Sequence, residues 1–233
     1  MNQHANSAAN TGALGLTGLT PETTQTEQPR VALDNVLAQP ATARATDAIA
    51  ARYHLTPETS RAALHTLRPL ILQQIAQLCD GRDGECRILH WLADPALTRI
   101  RIVPEDIVAQ DVRATSDAIH RGLSRGDASL WGSIDASAAR LAMSHQTLRA
   151  MMPLLTLLLL AAVREAATPA FLRYLHVMRP DDQTTDPYAF AAQQASAASP
   201  VAPSQALRWL DAVLSRAQEQ SEPSLSPVLR HER

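Results

Sequence analysis

One order of residue types occurs twice in this chain, and both occurrences carry a helical period. A run around residues 50–75 returns around residues 138–163. Each begins Ala-Ala-Arg, at Ala50, Ala51 and Arg52 and again at Ala138, Ala139 and Arg140. An apolar residue and a hydroxyl follow (Leu55-Thr56, Met143-Ser144), then a polar stretch with Arg61 or Arg149, then a Leu-rich helix built around Pro69 or Pro153. Such periodicity predicts a duplicated helical module that packs against itself. It constrains packing and carries little chemistry, so it points to an all-α fold and assigns no function.

The spacing between the copies is 88 residues at Arg52 and Arg140 but 84 at Pro69 and Pro153. The sequence therefore reads as a second copy shortened by about one helical turn, which would leave its apolar face pointing nearly the same way.

The helical reading extends through most of the middle of the chain. Val31 to Leu37 and Thr42 to Tyr53 are candidate helices, and Thr56-Pro57 is a start signal with Thr56 as N-cap. Ala63, Leu64, Leu67, Leu70, Ile71, Ile75 and Leu78 then recur mostly at spacings of three and four, predicting a buried face up to Cys79. Pro69 should kink or split that helix, and Gly81 and Gly84 should stop it. Helix resumes from Arg87 to Leu92. The stretch Ile100, Ile102, Val103 alternates like a strand but is too short to imply a sheet. Glu105 to Leu123 is helical, with Ile107, Val108, Val112, Ile119 and Leu123 as candidate core. The second module spans Leu130 to Met143 and, capped by Ser144, Leu148 to Ala166; Pro169 should begin a separate short helix, Phe171 to Met178.

This predicts one helical domain over 31–180, with modules at about 45–79 and 130–166, between softer ends. Residues 1–30, rich in Ser, Thr, Asn, Gln and Gly, lack the apolar content to offset the entropy of ordering and read as a disordered tail. Residues 181–203 read as a linker and 221–233 as a second disordered tail. Between these two, Ser204 opens an amphipathic helix over 204–220, with Leu207, Leu210, Leu214 and Ala217 on one side and Arg208, Asp211, Ser215 and Glu219 on the other.

The Ala-rich helix, the apolar-hydroxyl pair and the proline-containing stretches Arg68-Pro69-Leu70-Ile71 and Met152-Pro153-Leu154-Leu155, with Asp94-Pro95-Ala96-Leu97 between them, resemble the YidB-like family of bacterial proteins. The resemblance covers residues 42 to 163. It implies a compact all-helical fold in a bacterium and brings no catalytic or ligand residues, because the family has no assigned chemistry. The chain departs from the family pattern in its few glycines, eight in all.

Composition narrows the function classes. A net charge of -2 over 233 residues offers no basic field for phosphates, and 3% aromatic content argues against base stacking, so nucleic acid is not an expected partner. The longest apolar run, Met151 to Val163, is too short for a membrane span and suits a core helix. Met1 to Asn10 lacks the charged and apolar regions of a signal peptide. All 21 basic residues are arginine. Coding bias toward Ala, Arg and Pro explains this, and so does selection against lysine as a ubiquitin acceptor in a eukaryotic cytosol.

No catalytic, cofactor-binding or metal-ligating set emerges. His54, His65, His90, His120, His145 and His176 are scattered without zincin spacing. Cys79, Cys86 and His90 lack a fourth zinc ligand, and the cysteines read as a bridge in an oxidising compartment or as thiols in a reducing one. Asp80, Asp83 and Glu85 lack the ligand spacing of a calcium loop. Ser124-Arg125-Gly126-Asp127, near Trp131, reads as a solvated turn, and no glycine-rich phosphate loop occurs. The stripe from Met151 to Leu160 reads as core, or as a contact surface if the other copy leaves it uncovered. The expectation is a non-enzymatic, cytoplasmic helical protein that interacts with a protein partner or with itself. The alternative is a secreted or host-translocated bacterial protein with a disordered N-terminal export segment.

Overall fold

The computed structural model describes residues 29–79, 81–124, 128–182 and 184–197. The sequence readings for most of the N-terminal tail, for Asp80, for Arg125 to Asp127, for the helix at 204–220 and for the tail at 221–233 lie outside these residues. The described chain forms α1 (Pro29–Leu37), α2 (Pro40–Arg52), α3 (Pro57–Cys79), α4 (Arg82–Leu92), α5 (Pro95–Ile102), a 3-10 segment (Pro104–Val108), α6 (Gln110–Leu123), α7 (Ala128–Arg140), α8 (His145–Met178) and α9 (Pro187–Ser196). The fold is all-α, with no strand among the described residues.

The helix α8 organises the molecule. Its middle is apolar on every side, and all residues from Leu154 to Val163 are buried. A helix without a polar face must be surrounded, and α8 packs against every other described element. One 18-residue window of α8 is apolar enough to cross a membrane by length and composition, but 78% of that window is buried inside the protein.

The turns α2–α3 and α7–α8 are built from the same contacts. In the first, the Leu55 amide donates to the Ala50 carbonyl (2.9 Å) and the His54 amide to Ala51 (3.3 Å). In the second, Met143 donates to Ala138 (3.0 Å) and Ala142 to Ala139 (3.3 Å). This six-to-one plus five-to-two pairing closes a helix C-terminus when the intervening residue is left-handed, and His54 and Ala142 have φ of 56° and 52°. Thr56 and Ser144 then cap α3 and α8 by accepting from the Thr59 and Thr147 amides. Arg61 reaches back to Asp47 and Arg149 to Asp135. Every one of these pairs is separated by 88 residues and precedes the prolines, so the repeat keeps one register up to Arg61 and Arg149, and Pro69 and Pro153 then fall at different depths in their helices.

The structure corrects several boundaries. Pro69, Pro153 and Pro169 lie inside unbroken helices, so Phe171 to Met178 is the end of α8, not a separate helix. Proline costs a helix about 3 kcal/mol and leaves a carbonyl without its helical donor; burial of the surrounding turns offsets this here. The strand-like Ile100, Ile102 and Val103 belong to α5 and its C-cap. The helix expected over Glu105 to Leu123 breaks at Ala109, which separates the 3-10 segment from α6. Gly84 does not stop a helix but lies in the first turn of α4, where a Cβ would come within 1.7 Å of the Leu78 carbonyl oxygen. On α3, Leu72 is buried, while Leu70 and Leu78 are only half-buried against the core.

The largest correction concerns the expected linker at 181–203, part of which is α9. Asp186 caps it by accepting from the Tyr188 and Ala189 amides, with Pro187 at the first helical position. Tyr188, Phe190, Ala191 and Ala192 are buried, and the Tyr188 ring packs 4.4 Å from that of Phe171 on α8. The helical body therefore extends past residue 180.

Candidate interaction surface

The interior contacts hold helices together. Arg164, on α8 and largely buried, donates to the Leu92 carbonyl at the end of α4 and to Asp186 Oδ2 (2.5 Å), and its guanidinium lies over the Tyr188 ring. Tyr188 donates its hydroxyl to the Arg164 carbonyl, and burial pushes that phenol well above its usual range. Farther round α8, Glu165 pairs with Arg101 of α5 and accepts from Gln39 Nε2 (2.9 Å), while Arg101 also donates to Gln39 Oε1 (2.5 Å). These two clusters fasten α4, α5, α9 and the α1–α2 turn to the central helix.

A third cluster surrounds Trp131 on α7. His120 of α6 meets the indole edge-on at 6.0 Å, and the Arg149 guanidinium lies 5.2 Å from the centre of the ring. Arg149 and His145 both engage Asp135. Hydrogen bonding to Arg149 is the main reason the Asp135 carboxyl stays below the usual range. His120 is 7% exposed, its Nε2 has no hydrogen-bond partner among the described residues, and burial lowers its pKa against an opposing pull from Asp117.

The remaining candidates scatter. Cys79 ends α3 and Cys86 lies within α4, both half-buried thiols. His90 lies 3.4 Å from Ser196. No group of three or more His, Cys, Asp or Glu that could hold a metal occurs among the described residues. Asp83 and Glu85 occupy the first turn of α4, where negative charge favours the helix N-terminus. Ser124 is the C-cap of α6 and donates its hydroxyl to the His120 carbonyl (2.8 Å). His54 closes α2, and His65 and His176 are exposed. The Met151 to Leu160 stripe is buried apart from half-buried Pro153.

What the surface offers instead is apolar. Ile102 (74% exposed) and Val103 stand out beside α5, and Leu172, Val177 (77%) and Met178 at the end of α8. Ile102 and Val103 border an open groove of about 630 Å³ whose walls include Ala93, Pro95, Thr98 and Asp186. The charged groups at this groove are already engaged: Arg99 binds Asp106 (2.7 Å) and Asp111 (2.5 Å), and Asp186 is held by Arg164. Sequence reasoning missed this surface because the α5 residues looked like a strand fragment. The signal available was Pro95, Thr98 and Ile102 at spacings of three and four. Searches of protein-family models, curated proteins and solved structures return no match to this chain.

Proposed function

We propose that this protein is a non-enzymatic helical interaction module that makes protein contacts through the exposed apolar end of α8. The observation that carries this reading is the exposure of Leu172, Val177 and Met178 on a helix whose middle is fully enclosed. Large apolar groups gathered on one end of an element favour contact with another protein surface. The polar clusters support the same reading, since Arg164, Arg101 and Arg149 are each occupied in fastening helices.

The common contacts at the two turns support reading α2–α3 and α7–α8 as copies of one unit, and the YidB-like resemblance and bacterial origin belong to this proposal on the strength of the sequence motifs. Light scattering of the full chain over a concentration series tests it. Association that Leu172→Glu and Val177→Glu suppress, with an unchanged circular dichroism spectrum, is the expected result. A mass that stays monomeric at every concentration and is indifferent to both substitutions rejects contact between copies through this end.

A second reading has one observation in its favour. A chain with 21 arginines and no lysine offers ubiquitin no side-chain amine, as would suit a bacterial protein secreted or translocated into a host. Secretion unaffected by deleting residues 1–28, or no secretion at all, rejects an export role for that segment.

A further inference from the structure

We propose that the apolar groove beside α5 is the docking site for this chain's own segment 204–220, which binds there as an amphipathic helix. Pro95, Thr98 and Ile102 form one stripe along α5 at spacings of three and four, with Val103 beside it and Ala93 at its head. The segment carries a matching stripe, Leu207, Leu210, Leu214 and Ala217, at spacings of three, four and three. Two stripes of this kind pack by interleaving their ridges.

The path of the chain favours this occupant. Ser196, the last residue of α9, lies 3.4 Å from His90, and His90 precedes the groove wall at Ala93 by three residues, about 4.5 Å of helix rise. The described chain ends at Ala197, and the seven steps to Ser204 reach up to about 24 Å when extended. α9 carries the chain about 15 Å along its axis from the groove wall at Asp186 to Ser196, and the seven steps after Ala197 are long enough for the segment to return to the groove. Residues 1–28 compete poorly, because Gly12, Gly15 and Gly18 interrupt the leucines there and glycine disfavours a helix. The groove's charges are already engaged internally, so an apolar helix face can cover it without stranding a charge.

The inference rests on the interaction-module reading only in treating exposed apolar side chains as contact surface. Its test is read within single chains, whereas that reading is tested by mass between chains. In the full chain with Cys79→Ser and Cys86→Ser, Ile102→Cys is combined with Leu210→Cys or, as control, with Ser215→Cys on the polar side. The folded state of each variant is checked by circular dichroism before oxidation with diamide. The expected result is an intrachain cross-link between positions 102 and 210 formed at least ten-fold faster than in the control. Equal rates for the two pairs overturn the proposal, and so does a cross-link that joins two chains, which would make a second copy the occupant.

Discussion

At the scale of single residues, the side chains that carry most information are polar ones held inside. Burial keeps the pKa of His120 below its ordinary 6.5. As pH falls below 6.5 the unfolded chain takes up the proton first, so this stability contribution is fully present above 6.5 and is lost as pH falls through the folded value. Urea midpoints between pH 7.5 and 5 should fall in the wild type and fall less in His120→Gln; parallel curves would show that His120 is not the group responsible. Arg164→Met should cost about 3 kcal/mol, since it leaves the Leu92 carbonyl and Asp186 without their cation. A urea midpoint within error of wild type would show that the cluster contributes nothing net. Neither role was legible in the sequence, where His120 is one of eight histidines and Arg164 one of 21 basic residues. A partner 72 positions away at Leu92, or 22 away at Asp186, has no local signature.

Among the elements, the best-defined features are the two turns that close α2 and α7. Ala142 holds a left-handed conformation at φ 52°, which glycine adopts without the steric cost borne by a Cβ. Ala142→Gly should therefore raise stability by about 1 kcal/mol, and Ser144→Ala should lower it by a similar amount through loss of the α8 cap. Thermal or urea unfolding measures both, and a destabilised Ala142→Gly would mean that the turn is held by contacts beyond its backbone. The caps at Thr56 and Ser144 were legible because capping is local chemistry, a hydroxyl accepting from an amide three residues on. The effect of the prolines was not. Pro69, Pro153 and Pro169 are stop or kink signals in isolation, and only packing around α3 and α8 explains why those helices continue. Likewise α9 lay hidden in a segment read as a linker, because its burial depends on Phe171 and Arg164, which precede it by about twenty residues.

For the whole molecule, stability depends on enclosing α8. Leu155 is fully buried whereas Leu70 is only half-buried at the edge of the core. Leu155→Asp should leave no folded protein, because an unpaired carboxylate has no solvent there. Leu70→Asp should fold with reduced stability, and a cooperative melt for both variants would show that α8 is not enclosed. Removing residues 181–233 would strip away buried Tyr188 and Phe190 together with residues 198–233. A cut after Ala197 separates these effects and leaves α9 in place. From periodicity and capping the sequence by itself determined an all-helical fold, the capped starts of α3 and α8 and the apolar character of α8, since those signals act within a few residues. Which helices touch, which prolines are tolerated, where α9 docks and which apolar side chains stay outside were decided by tertiary structure alone. Each of these depends on contacts between residues far apart in the chain, and a helical period shows that a face will be buried without showing against what.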